Sequence, residues 1–321
     1  MDILFIKLGA MGDVINTFPL VVNLKTKLGA RIHWVVGPLS SPLVSEHPYV
    51  DKIIVFDKQK WKISLPYVIK QIRKQKFDIT LNLQRIFKSG MLTMSAITKR
   101  RIGFDKKRCK EMSWMLPFER IPTSNPHSHM VHQYLEFASY LNAQSNNVRW
   151  GIPVSGNISF DLPKNYIVLN IGATKPANRW TEKGFTALIH KLKNYFHIDS
   201  VLTGSVEDTN MANRIAASSN SVVINLVGKT SVIELKEVLA GSKAVVSCDT
   251  GPMHLAVALG KDVVALFGPA DPRRTGPFSG QVIQKDLFCV PCNKRKCNDP
   301  ICMKKITPEE VLNKLEDLWS A

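Results

Sequence analysis

The 321-residue chain has no apolar run approaching the ~18 to 20 residues that a membrane-spanning helix requires, which excludes a spanning segment as its organising feature. It opens directly into an apolar strand, Ile3 to Lys7, with no basic stretch and cleavage site ahead of it, and this predicts a cytoplasmic protein. A complete dinucleotide fingerprint is also missing. Gly9-x-x-Gly12 lacks one glycine, and no acidic residue closes the second strand, Ile32 to Val36, so a nicotinamide or flavin role is disfavoured. Gly228-Lys229-Thr230 is not a phosphate loop of the Walker type, because Val223 stands where that motif needs its first glycine. Acidic residues are scarce: 26 Asp plus Glu face 43 Lys plus Arg, for a formal net charge of +17. The excess is lopsided, with 23 basic against 10 acidic side chains in residues 1–158 and 20 against 16 in residues 159–321. Unless the charge serves only solubility, such an amino half attracts anionic lipid, phosphorylated glycolipid or nucleic acid.

What is present points to two α/β domains. The length suits two cores of about 150 residues each, and a hydrophobic content of 45% is ordinary for a globular chain. Ser145 to Pro163 is polar and punctuated by Gly and Pro, which places the boundary between domains 1–158 and 159–321. Strands are predicted at Ile3–Lys7, Ile32–Val36, Lys52–Phe56 and Asp78–Asn82, then Tyr166–Ile171, His197–Thr203, Val222–Leu226, Ala244–Ser247 and Val263–Phe267. Helical stretches lie between them, among them one from Asp13 onward with Pro19 in its middle, Leu65–Gln75 and Lys88–Ile97. This alternation predicts doubly wound parallel sheets. Ser231 with Glu234, and Thr307 with Glu310, have the spacing of capping boxes.

The chemistry concentrates in Ser247 to Phe278. A β-branched run is followed by the turn Asp249-Thr250-Gly251-Pro252, an apolar helix from Met253 and a second strand closed by Gly268-Pro269. A helix starting there offers unpaired amides and a positive dipole end to an anion, with Pro252 at a tolerant first position and His254 in the same turn. The competing reading is a plain helix cap by Asp249 or Thr250. After Tyr166–Ile171, the small turn Gly172-Ala173-Thr174-Lys175, with Arg179 beyond it, suits a pyrophosphate seat. After the next strand, Glu207 or Asp208 is placed to hold ribose hydroxyls. Gln84, Arg85 and Lys88 follow a strand end and are candidate acceptor contacts, with Lys106 to Lys110 and Trp114 forming a basic loop nearby in sequence. Three histidines, 127, 129 and 132, lead into a helix ending near Leu141; four-ligand sites being the rule, a metal there is disfavoured, and a role near the acceptor is open to His127 or His132. Cys289-x2-Cys292-x4-Cys297-x4-Cys302 has the spacing of a structural Zn or Fe site, with reduced unligated thiols the alternative.

Asp249-Thr-Gly-Pro-Met-His-Leu-Ala256, followed by Ala265-Leu-Phe-Gly-Pro269 and Thr275-Gly-Pro277, resembles the signature of the lipopolysaccharide heptosyltransferases, glycosyltransferase family 9, and Ile3-Leu-Phe-Ile-Lys-Leu-Gly-Ala-Met-Gly12-Asp13-Val extends the likeness to the amino end. The resemblance implies a GT-B fold, two Rossmann-like domains facing a central cleft, and an inverting transferase with no catalytic metal. It implies Asp13 as catalytic base, where the residues alone also allow a helix cap. For the donor, ADP-heptose, it points to Thr174, Lys175, Arg179, Glu207, Asp249, Thr250, Gly251 and His254. The family's lysine before the tryptophan falls on Asn178 here, which leaves Lys175 and Arg179 as alternatives for the diphosphate. The acceptor implied is the phosphorylated lipid A/Kdo inner core, met at the inner face of the cytoplasmic membrane by a peripherally bound enzyme, with no nucleic acid as partner. The final helix, to Trp319, is expected to cross back to the first domain. Two rivals are a protein-glycosylating heptosyltransferase of autotransporters and a non-enzymatic nucleic-acid- or metal-binding protein.

Overall fold

Short β-branched runs separated by amphipathic stretches fold as strand–helix units. The computed structural model describes residues 1–219 and 221–320; Asn220 and Ala321, both in the second expected domain, lie outside the described residues. Contacts divide the chain into Met1–Pro153 and Val154–Ala321. Among the described residues no helix is long and apolar enough to cross a membrane.

The first unit contains β1 (Asp2–Ile6), β2 (Arg31–Val36), β3 (Lys52–Val55), β4 (Lys76–Asn82), β5 (Ile97–Gly103) and β6 (Glu119–Arg120), in the sheet order β3-β2-β1-β4-β5-β6. Every neighbouring pair is parallel. In β1, Ile3 lies opposite Ile32 on one side and Ile79 on the other, and Ile3 to Ile6 are wholly buried. A central parallel strand covered on both faces has no solvent side, which is why its sequence is apolar throughout rather than alternating. Trp34 is buried against Phe5 and Phe18, and its indole N–H donates to the Lys7 carbonyl at 2.9 Å, so its polar edge is satisfied.

Two expectations here are corrected. The helix expected to run on from Asp13 is two helices, Met11–Ile15 and Phe18–Leu28, and Pro19 stands in the first turn of the second, where no amide partner is required of it. The strand β5 begins at Ile97, where the sequence suggested the end of a helix, and runs through the basic residues Lys99, Arg100 and Arg101. Its outward cations are paired, Lys99 with Asp78 at 2.7 Å and Arg100 with Glu119 at 2.6 Å, so charge does not prevent it from extending the sheet.

The second unit contains β7 (Tyr166–Asn170), β8 (Asp199–Thr203), β9 (Val223–Asn225), β10 (Ala244–Cys248), β11 (Asp262–Phe267) and β12 (Gln281–Gln284), all parallel, in the order β12-β11-β10-β7-β8-β9. His197, expected in a strand, instead closes helix Glu182–Phe196 in the left-handed conformation at φ 54°. Trp180 packs edge-on to Phe185 and donates to the Ile306 carbonyl at 3.1 Å. The capping box at Ser231 and Glu234 forms, starting helix Val232–Gly241. The final helix, Pro308–Ser320, starts with Thr307 and Glu310 exchanging backbone bonds. It packs on helix Glu182–Phe196 and on β11 and β12 of its own unit, because its apolar stripe, Val311, Leu312 and Leu315, belongs to this core, and Trp319 meets Phe196 at 5.1 Å.

Candidate active site

In each sheet the strand order reverses beside the first strand of its unit, between β1 and β4 and between β7 and β10. Loops leaving the carboxyl ends of such a strand pair diverge and open a crevice for ligand. Asp13, Gln84, Arg85 and Lys88 follow the strands of the first switch point, and Thr174, Lys175, Arg179 and Asp249 to His254 those of the second.

In the first unit, β1 passes through Lys7 into the Gly9 turn and the short helix Met11–Ile15, which carries Asp13. The capping position is Ala10, so Asp13 is not the helix cap. Its carboxylate is 37% exposed and lies 3.2 Å from the Lys7 ammonium, which is itself buried and sits 5.1 Å from the Tyr134 ring centroid. Gly9 has a φ of 150°, a conformation L side chains rarely adopt. The turn is pinned from the neighbouring strand: Gln84 Oε1 accepts from the Leu8 N–H at 2.9 Å while its Nε2 donates to the Gly9 carbonyl at 3.0 Å. Gln84, expected to touch an acceptor, therefore holds the loop that presents Asp13.

Arg85 lies 4.5 Å from the Phe104 ring centroid and donates to Gln133 Oε1 at 2.5 Å, and its carbonyl accepts from the Lys110 N–H and the Ser113 hydroxyl. It braces the basic loop after β5. Lys88 is exposed in the first turn of helix Phe87–Ser95. Within the basic loop, Arg108 is buried in ion pairs with Asp105 and Glu136, whereas Lys106 lies over the Trp114 ring at 4.1 Å. His129 caps helix Met130–Tyr140 by accepting from the Val131 N–H, and His127 and His132 are exposed.

In the second unit the switch point is built on a polar cluster that the sequence reading missed. Asn170, at the end of β7, donates from Nδ2 to Ser247 Oγ and to Thr250 Oγ1, each at 3.0 Å, while its Oδ1 accepts from Thr203 at 3.4 Å. All four side chains are buried. Thr250 is thereby turned inward and gives helix Gly251–Ala258 no side-chain cap. The plain-cap reading of Thr250 thus fails. His254 is largely buried in the first turn, and Asp249, half-buried, accepts from Asn178 Nδ2 at 3.0 Å.

Across the turn after β7, Arg179 Nη1 lies 2.6 Å from Asp208 Oδ1. Asp208 Oδ2 accepts from the backbone N–H and hydroxyl of Ser205 at 2.9 and 2.8 Å, closing the cap of the turn after β8. Gly172 is required here, since a Cβ at this position would stand 2.8 Å from Asp208 Oδ2. Glu207 is exposed, as is Thr174, and Lys175 is half-buried. Cys248, beneath the turn, is fully buried, and burial pushes its thiol up to about 12, which makes it an inert packing residue.

The four-cysteine metal expectation is not supported by the structure. Among the described residues no three His, Cys, Asp or Glu side chains group so as to hold a metal ion. Cys302 is buried, packed near Gly268 beside Met303, whereas Cys289 and Cys297 are exposed and Cys297 points its thiol to the Asp299 carbonyl at 3.3 Å. Burial, then the neighbouring Cys289 and Cys292, push the Cys302 thiol up from its ordinary value.

Two parallel sheets of this order, each in its own unit, are the architecture of the GT-B fold. A solved structure of the same fold, Escherichia coli ADP-heptose lipopolysaccharide heptosyltransferase II, superposes with a TM-score of 0.79 at 25% identity, covering 99% of this chain and 98% of that one. E. coli heptosyltransferase WaaC with ADP gives a TM-score of 0.82 at 24% identity, with 99% of each chain covered, a likeness of fold. The family described as glycosyltransferase family 9 (heptosyltransferase) matches residues 67–302, and the chain belongs to that family. Among curated relatives, the lipopolysaccharide core heptosyltransferase OpsX of Haemophilus influenzae is 25% identical, over 85% of this chain and 81% of its own. The lipopolysaccharide heptosyltransferase 1 of Pseudomonas aeruginosa is 24% identical over 100% and 99%, respectively.

Proposed function

We propose that this chain transfers heptose from ADP-heptose to a phosphorylated sugar of the lipid A/Kdo inner core, with inversion, at the inner face of the cytoplasmic membrane. The observation that carries the reading is the start of helix Gly251–Ala258 in a family 9 chain. Its flanking Thr250 hydroxyl is engaged by Asn170 and Ser247, so a diphosphate is the natural partner of the first-turn amides.

Asp13 takes the proton of the acceptor hydroxyl as its oxygen forms a bond to the anomeric carbon. The bond from that carbon to the diphosphate oxygen breaks, and ADP departs with the electron pair. The exposed carboxylate beside Lys7 suits a base that must reach an incoming hydroxyl. Gly251 lets the diphosphate approach the backbone, His254 and Thr174 add polar contacts, and Lys175 supplies the cation, because Arg179 is committed to Asp208. Glu207 rather than the buried Asp208 holds the ribose hydroxyls, and Asp249 holds sugar hydroxyls. Lys88, with the basic loop braced by Arg85, receives acceptor phosphate.

The test is mass-spectrometric detection of transfer from ADP-heptose to a heptose-free core glycolipid by wild type and Asp13→Ala. Product from wild type, lost in a variant that still binds donor, supports the reading. Donor binding without product from wild type overturns the acceptor assignment, and failure to bind any sugar nucleotide overturns the transferase reading.

A further inference from the structure

Helix Trp61–Ile72 covers the edge of the first sheet with one stripe and leaves another uncovered. Val68 and Ile72 are buried and Leu65 packs at the rim of the core. These positions recur at helical spacing and account for one face. On the opposite face Ile63 is 78% exposed and Tyr67 56%, and Trp61, in line with the buried stripe but at the first residue of the helix, is 54% exposed, an unusual concentration of large apolar side chains in water for a single short helix. The flanking charge has one sign: residues 58–76 contain seven lysines and arginines and no Asp or Glu. Among the described residues none of the seven is held in an ion pair, unlike the cations of β5.

We infer that this helix is a membrane-docking element, which rests its exposed face on an anionic phospholipid surface with Ile63 and Tyr67 at the headgroup boundary and Trp61 beside them at the helix start. Aromatic side chains with one polar edge favour that boundary, and a surrounding field of lysines is attracted to an anionic leaflet. A nucleic acid would satisfy the lysines but leave Ile63 and the exposed ring faces without a partner. The helix begins just past the carboxyl end of β3, the same edge of the first sheet from which Asp13 and Lys88 rise. The inference rests on the proposed transfer to a lipid-anchored acceptor, and it names the surface that brings the enzyme to it.

The experiment is flotation of the full chain with phosphatidylcholine vesicles and with phosphatidylcholine–phosphatidylglycerol vesicles, without donor or acceptor. Wild type is expected to float with the anionic vesicles and to be released by salt. The triple substitution Trp61→Ser, Ile63→Ser, Tyr67→Ser is expected to lower partitioning about tenfold. Charge reversal by Lys62→Glu with Lys70→Glu should do the same, and Val206→Ser with Val222→Ser, exposed apolar residues of the second unit, should leave it unchanged. Thermal melting and transfer to a de-acylated acceptor, both expected at wild-type values, establish that the triple variant is folded. Wild-type flotation by the triple variant, loss on charge reversal alone, or no flotation of wild type overturns the inference. Flotation with no transfer to any glycolipid leaves the docking helix standing and removes the proposed reaction, whereas transfer to de-acylated acceptor without flotation does the reverse.

Discussion

Arg179 and Asp208 meet at 2.6 Å, with the carboxylate buried and the guanidinium about one-third exposed, and together they tie the turn after β7 to the turn after β8. The same carboxylate completes the Ser205 cap, so one side chain positions two loops at the carboxyl ends of β7 and β8. Asp208→Ala leaves a largely desolvated cation and an orphaned amide. It should cost about 2 kcal/mol, less than for a fully buried pair because Arg179 retains some water. Urea unfolding of Asp208→Ala beside Glu207→Gln checks this. Glu207→Gln should unfold within about 0.5 kcal/mol of wild type and lose donor affinity instead.

Asp13→Asn preserves the shape of the Met11–Ile15 helix and removes the proposed base. Turnover should fall by roughly 10²- to 10⁴-fold with donor affinity unchanged, as read by steady-state rates and calorimetric titration with ADP. Gln84→Leu offers the contrast. It leaves the Leu8 amide and the Gly9 carbonyl without their side-chain partner, so turnover should fall while Asp13 is intact.

Asn170→Ala removes the donor shared by Ser247 and Thr250 inside a buried cluster. A loss of about 1 to 3 kcal/mol in unfolding free energy is expected, together with weaker ADP binding as Thr250 is released to cap its own helix. Asn170→Asp, which turns a donor into an acceptor facing two hydroxyls, can be accommodated by their rotation and should restore part of the stability.

Acid sensitivity should arise at the opposite edge of the first sheet, where Asp2 bridges Arg31 at 2.7 Å and His33 at 3.3 Å. Burial holds His33 below its ordinary 6.5, outweighing Asp2, so the unfolded chain binds this proton first and stability falls as pH drops through that value. Hydrogen bonding to Arg31 holds Asp2 below its ordinary 3.8, which adds a second loss as pH falls further. Urea midpoints measured against pH should show both limbs, and His33→Gln should shrink the first without abolishing it, because burial also holds His47 below its ordinary value.

The motif residues were legible because their chemistry is local. A glycine turn after an apolar run announces a strand end, and Asp249 to His254 and Lys7 to Asp13 lie on such ends. Asn170 and Ser247 were not legible, since a polar residue closing an apolar strand looks like an interruption until the neighbouring strand supplies its partner. The Arg179–Asp208 pair was hidden for the same reason, its members belonging to different strand–turn units. β5 was obscured by Lys99, Arg100 and Arg101, whose partners arrive from elsewhere in the chain or from the backbone of the preceding helix. The cysteine spacing misled because proximity in sequence says nothing about where each thiol points; Cys302 turns into the core and Cys297 does not.

With the proposed diphosphate at its helix start, the inward turn of Thr250 also makes the protein's endurance depend on its nucleotide. A helix start left without its flanking hydroxyl is completed by the ligand that occupies it, and a ligand that binds only the folded chain raises its apparent stability by mass action. Saturation at a hundredfold excess over Kd is worth about 2.7 kcal/mol. The melting temperature of this chain should thus rise with ADP concentration, so that a simple heating curve becomes a gauge of which nucleotides the crevice accepts.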